Sequence, residues 1–148
     1  MIQVATEPRI ASIALREPLG CQTRLALPER SLSSLDTVHC IDALSLLRAQ
    51  AAHSVDAIIT DLPYGTTAAS WDVIIPFAPL WEAVRHALKP RGVFVTTASQ
   101  PFTSMLVMSN LKWFRYEWVW EKTMAMGYLN ANRMPMKEHE NIVIGFCV

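Results

Sequence analysis

Glycine is scarce in this chain: there are five in 148 residues, at Gly20, Gly65, Gly92, Gly127 and Gly145, and no two lie within three positions of each other. A G-x-G turn is therefore impossible anywhere in the sequence. Cysteine is scarcer, and Cys21, Cys40 and Cys147 form no C-x-x-C pair, which argues against both a disulfide framework and a zinc cluster. A reducing cytoplasm is the expected location. Charge of one sign is missing as well: thirteen Lys plus Arg balance thirteen Asp plus Glu, for a net charge of +0. No global field advertises a polyanionic partner, so any basic surface must be local. There is no membrane-length apolar run either, because the uncharged stretch from Gly92 to Leu111 carries Thr96, Thr97, Ser99, Gln100, Pro101 and Asn110. Glu7, and the absence of a basic start followed by a clean apolar stretch, argue against a secretory signal. These absences predict a soluble cytoplasmic protein with no membrane partner.

Apolar residues make up 51% of the chain and charged residues 18%. With a mean hydropathy of +0.21, a chain of this size can bury a sizeable core and lies far from the disordered class. Residues 1–36 read differently from the rest, since Pro8, Pro18 and Pro28 interrupt each apolar run before three helical turns are complete. They are expected to be an extension, partly ordered or disordered.

From residue 37 to 148 the pattern is regular. Val38 to Ile41 is a short apolar run that predicts a first strand. After it, Ala43, Leu44, Leu47 and Ala51 share one helical stripe. Val55 to Thr60 is a β-branched, apolar run ending at a Pro/Gly turn, the mark of a buried strand. Leu80, Trp81, Val84, Ala87 and Leu88 form a broad helical stripe that stops at Lys89-Pro90-Arg91-Gly92. Val93 to Thr97 predicts a strand, Pro101 to Asn110 a helix, and Trp113 to Trp120 and Asn141 to Phe146 two closing strands. Strands alternating with helices imply an α/β fold with a mostly parallel sheet and a closing antiparallel strand.

Ligands of open α/β sheets bind beyond the carboxyl ends of the strands, which directs attention to Asp61-Leu62-Pro63-Tyr64-Gly65. A carboxylate, a rigid turn, an aromatic ring and a glycine stand together at the exit of a buried strand. An ordinary strand-to-loop turn, with Asp61 accepting backbone hydrogen bonds and Tyr64 packing, accounts for these five residues equally well.

The longer stretch Val55 to Asp72, VDAIITDLPYGTTAASWD, resembles the D-P-P-Y motif of the DNA amino-methyltransferases, which methylate adenine N6 or cytosine N4. It looks most like the phage and prophage members, in which the motif is followed by Gly-Thr-Thr and Trp-Asp. The resemblance runs from Val38 to the end. It includes Asp42, the turn Lys89 to Gly92, and Lys122 to Glu140 with its His139-Glu140 close.

The resemblance implies a partial Rossmann-like methyltransferase sheet, with S-adenosylmethionine as cofactor and double-stranded DNA as partner, in DNA methylation of the restriction–modification kind. It also implies roles. An exocyclic amino group is a poor nucleophile because its lone pair is delocalised into the ring. A carboxylate and a backbone carbonyl accepting its two N–H groups favour a pyramidal nitrogen whose lone pair is free. Asp61 is the implied carboxylate and Leu62 supplies the implied carbonyl, while Pro63 stiffens the turn and Tyr64 stacks on a flipped base. The nitrogen becomes more acidic as it is methylated, so no strong base is needed. Leu62 stands where the family usually has proline, which restores an N–H and leaves the carbonyl. Aspartate at the first motif position leans toward adenine and serine toward cytosine.

Asp42 matches a position that accepts from the adenine amino group of the cofactor, and an N-cap for the following helix explains it equally well; Asp61 borders the same cofactor. Trp71 and Lys122 are candidates for the substrate side, with Trp71 also readable as an anchor of the loop on the core. Trp113, Trp118 and Trp120 read as core or sheet-face residues. Lys112, Arg115, Lys122, Arg133 and Lys137 form the local basic set suited to a phosphate backbone, a solvated surface being the plainer alternative for each. His39, His53, His86 and His139 have no metal-ligand spacing, and no metal is expected.

Circularly permuted members of this family carry the catalytic motif first and the glycine-rich cofactor turn later. The chain ends at Phe146-Cys147-Val148, about where those later segments start, and so reads as C-terminally truncated. A complementing chain that carries the cofactor segment is therefore an expected partner. The alternative is a catalytically inactive DNA-binding or assembly fragment of such an enzyme.

Overall fold

The structure, a computed structural model, describes residues 2–5, 10–13 and 39–147. The elements in chain order are β1 (Ile2–Ala5), β2 (Ile10–Ile13), α1 (Ala43–Ala49), β3 (Val55–Asp61), α2 (Phe77–Ala87), β4 (Leu88–Ala98), α3 (Phe102–Ser109), β5 (Phe114–Met126) and β6 (Lys137–Phe146), with a 3-10 turn at Tyr128–Asn130. Six strands form one sheet in the order β2-β1-β3-β4-β6-β5.

The α/β class expected from the sequence is what the chain adopts. Among the described strands its parallel character is confined to β3 and β4, joined through α2; the other pairs, β1 with β2, β1 with β3, β4 with β6 and β5 with β6, are antiparallel. The difference originates at the amino-terminal side of β3. His39 to Ile41 is not a strand, and Val38 lies outside the described residues. Asp42 instead takes an extended ψ of 130° and caps α1, while Ile2 to Ala5 pairs along Ala57 to Thr60 and covers the edge of β3. Two stretches of the 1–36 extension thus form a hairpin in the sheet. Residues 6–9 and 14–36 lie outside the described residues.

Strand alternation sorts the side chains. Ile58, Phe94, Ala98 and Val143 face one way, and α1, α2 and α3 close over them with Leu46, Leu47, Leu80, Val84, Phe102 and Leu106 in a single core. Ile59, Asp61, Val95 and Thr97 face the other way.

Helix α2 ends earlier than its stripe suggests, and Leu88 begins β4 with no intervening loop. Its last carbonyls are taken up from outside the helix: the N–H groups of His53 and Ser54 donate to His86 and Ala87 at 2.9 and 3.0 Å. The Lys89 to Gly92 turn becomes an irregularity inside β4, between the pairs Val55–Leu88 and Ala57–Val93. The Lys89 ammonium donates to Asp56 at 2.8 Å, and Arg91 takes a φ of +69°. A Cβ on Gly92 would stand 2.8 Å from the Lys89 carbonyl oxygen, so only glycine fits there.

Strands β5 and β6 are longer than Trp113–Trp120 and Asn141–Phe146. The segment Lys122 to Glu140, which shows no clear period in the sequence, continues the hairpin through Met126 and from Lys137. Pairing backbone groups across the ladder carries these strands past their apolar stretches. Trp113 is core at 4% exposure, whereas Trp118 and Trp120 lie on the sheet face and are 58% and 52% exposed.

Candidate active site

Val55 to Thr60 forms a strand because Val, Ile and Thr suit a pleated, half-buried surface, and Asp61 is its last residue. The register sets Asp61 beside Thr97 of β4, so both project from the same face at the carboxyl ends of the only parallel pair among the described strands. Asp61 is exposed. Its Oδ1 accepts a very short hydrogen bond from the Thr97 hydroxyl. The Tyr64 hydroxyl lies 3.0 Å from the same oxygen and 2.8 Å from Thr97 Oγ1. The Tyr64 ring stacks on Phe102 of α3 with centroids 5.3 Å apart. Burial pushes the Tyr64 phenol well above its ordinary range, and the Asp61 and Glu140 charges push it further, with the contact to Thr97 acting the other way. Tyr64 stays protonated at any physiological pH.

The next turn is fixed from behind. Asp72, 8% exposed, accepts from the Gly65 N–H at 2.8 Å, the Thr66 and Thr67 N–H groups at 2.9 and 2.7 Å, and the Thr67 hydroxyl at 2.8 Å. Burial alone would raise its carboxyl. The Thr67 hydroxyl and the three backbone donors outweigh that and hold it below the ordinary aspartate range. Gly65 has a φ of +67°, and a Cβ there would stand 2.9 Å from Ile74 Cγ1. The Gly-Thr-Thr sequence is thus the part of the motif that wraps the Asp72 carboxylate.

Asp61, Leu62, Pro63 and Tyr64 are brought together as one turn. Leu62 is only 4% exposed and its side chain belongs to the core. Asp42 serves α1: its Oδ1 accepts from the Ser45 N–H at 2.9 Å and the Ser45 hydroxyl at 2.8 Å. Trp71 is 54% exposed, and its neighbour Asp72 holds the loop together through the Gly65, Thr66 and Thr67 donors. Lys122 pairs with Glu140 at 2.5 Å, and Glu140 lies two residues along β6 from Ile142, the register partner of Thr97, on the same face, so this pair borders the site. Lys137 donates to Ser99 at 3.0 Å, just past Thr97, whereas Arg115 donates to the carbonyl of Lys112 at 3.1 Å. Lys122 and Lys137 therefore stand on the site's side of the hairpin, while Lys112 and Arg115 belong to its base.

Sequence reasoning missed Thr97 and Phe102, whose relation to Asp61 and Tyr64 comes from strand register and helix packing. Asp72 was visible as part of a motif, but its role was not; an aspartate closing a Gly-Thr-Thr turn is the signal that points to it. Among the described residues no three His, Cys, Asp or Glu side chains gather as a metal site, and no helix is long and apolar enough to cross a membrane.

No family model and no curated protein matches the chain. Among solved structures it is similar to the M1.HpyAVI–SAM complex, at 23% identity and a TM-score of 0.42, over 62% of this chain and 43% of that one. It is also similar to a SAM-dependent O-methyltransferase from Thermotoga maritima, at 17% identity and a TM-score of 0.46, over 76% of this chain and 39% of the other. The chain thus spans about two fifths of the length of these two structures.

Proposed function

We propose that the chain forms the base-binding part of a DNA methyltransferase of the phage and restriction–modification kind. Its target is an exocyclic amino group, adenine N6 first and cytosine N4 second. The observation that carries this reading is the exposed Asp61 carboxylate at the exit of β3, hydrogen-bonded to Thr97 and within reach of the Tyr64 hydroxyl. In this reading Asp61 accepts an N–H of the base and localises the nitrogen lone pair, with the Leu62 carbonyl as second acceptor. Pro63 keeps the turn stiff and the Tyr64 ring supplies a stacking face. In the same reading Trp71, exposed in the structure, and Lys122, paired with Glu140, serve the substrate; double-stranded DNA is the partner and the cytoplasm the setting.

S-adenosylmethionine is the methyl donor in this proposal and supplies a methyl sulfonium. Three of the four described glycines, Gly65, Gly92 and Gly145, are packed and leave no backbone cradle for it. Cβ atoms on Gly65, Gly92 and Gly145 would meet Ile74, the Lys89 carbonyl and the Trp113 carbonyl, and Gly127 has nothing within 4 Å. Asp42, the other cofactor candidate with Asp61, is engaged at the start of α1. A complementing chain that holds the cofactor is accordingly part of the proposal.

The same glycine geometry favours a second reading, a catalytically silent DNA-binding or assembly module. Isothermal calorimetry separates the two. Micromolar binding of S-adenosylmethionine by the chain, alone or with a complementing chain, supports the enzyme; no heat in either case supports the silent module. Product analysis after labelling of unmethylated DNA then identifies the base, and N6-methyladenine is expected.

A further inference from the structure

The acceptor that the proposed reaction needs is already occupied by the chain itself. Thr97 and Tyr64 bring two hydroxyls within hydrogen-bond distance of the one oxygen, Asp61 Oδ1. Each hydroxyl has one proton. The arrangement closes when Thr97 donates to Asp61 and Tyr64 donates to Thr97 Oγ1, 2.8 Å away. The Tyr64 ring is meanwhile held with one face on Phe102. Leu62, only 4% exposed, offers its carbonyl little access while the turn stays in place. Thr97 reaches this position because the parallel register sets it beside Asp61 on the same face. Valine there would keep the strand and the volume but lose the hydroxyl; serine would keep the hydroxyl.

We propose that Thr97 is a positioning residue: its hydroxyl latches the Asp61 carboxylate to the Tyr64 phenol and holds Tyr64 on Phe102 in the substrate-free protein. The identity of what opens the latch, an amino group taking over Asp61 Oδ1, rests on the amino-methyltransferase reading. The latch itself does not.

The test uses the full chain and two variants, Thr97→Val and Thr97→Ser, labelled with 13C at the tyrosine ring. The Tyr64 signal is assigned by its loss in Tyr64→Phe. Without substrate, Thr97→Val should shift the Tyr64 Cζ resonance and weaken the ring's contacts with Phe102, while Thr97→Ser should leave both as in the wild type. An unchanged Tyr64 signal in Thr97→Val, or equal changes in both variants, overturns the latch. A far-ultraviolet melt of each variant confirms folding, and if Thr97→Val does not fold, Thr97→Ala takes its place with the same expected and overturning results. In a methylation assay Thr97→Val should lower the KM for DNA about three- to tenfold, the worth of one released hydrogen bond, with Thr97→Ser near wild type. An unchanged or higher KM contradicts displacement by substrate. Absence of methyl transfer by every variant sinks the functional reading, while the resonance result still decides the latch.

Discussion

The turn from Asp61 to Asp72 and the arm from Lys122 to Glu140 flank the same site and are built in opposite ways. In the turn, one nearly buried carboxylate gathers three backbone N–H groups and a hydroxyl, and Gly65 is packed against Ile74. In the arm, Met124, Tyr128 and Leu129 are 77%, 75% and 82% exposed, and the ion pair Lys122–Glu140 ties the two strands. The turn fixes groups in place before any partner arrives. The arm holds exposed apolar and basic side chains at its rim, where they are free to adapt. In the proposed reading the chemistry sits on the fixed turn and the contact with substrate on the exposed arm.

The contrast predicts a descending series of effects. Replacing Asp72 with alanine removes the carboxylate that gathers the Gly65, Thr66 and Thr67 donors, and urea denaturation should show a loss of about 3 kcal/mol, since several charge-assisted hydrogen bonds go at once. A loss equal to that of an arm variant would erase the distinction between the two regions.

The same carboxylate sets a pH dependence. Its folded pKa is depressed, so the stability it adds is fully present above the unfolded value and is lost as pH falls through the folded one. The wild type should therefore lose stability from about pH 4 downward, and Asp72→Asn, with no such charge, should show a flatter acid limb in the same denaturation series.

In the arm, Lys122→Ala breaks an ion pair whose side chains are 20% and 22% exposed. The expected loss is about 1 kcal/mol, at the upper end for a pair in contact with solvent. Met124→Ala, at a side chain that is 77% exposed, should change stability by less than about 0.5 kcal/mol. A larger cost for Met124→Ala than for Lys122→Ala would show that the arm is packed in solution.

Much of this was legible in the chain. Runs such as VDAIIT and the stripe of Leu80, Trp81, Val84 and Ala87 predict β3 and α2 because side-chain period reports directly which faces are buried. The turn Asp61 to Tyr64 announced itself by residue type. Strand partners were less readable. Val38 to Ile41 looks like a strand in the sequence, yet the edge of β3 is taken by Ile2 to Ala5, a non-local choice that no local pattern encodes. Thr97 is one threonine of several until register sets it beside Asp61. The length of β5 and β6 was hidden because exposed hairpin strands need no apolar alternation to pair.

The central claim is that Asp61 activates an amino group for methyl transfer. It is tested most directly by transfer of label from S-adenosylmethionine to unmethylated double-stranded DNA, comparing the wild type with Asp61→Ala, with and without a complementing chain that binds the cofactor. Labelled N6-methyladenine is expected from the wild type, reduced about 100-fold or more in the variant. Equal labelling by the two proteins, or no labelling by the wild type in either condition, would contradict it.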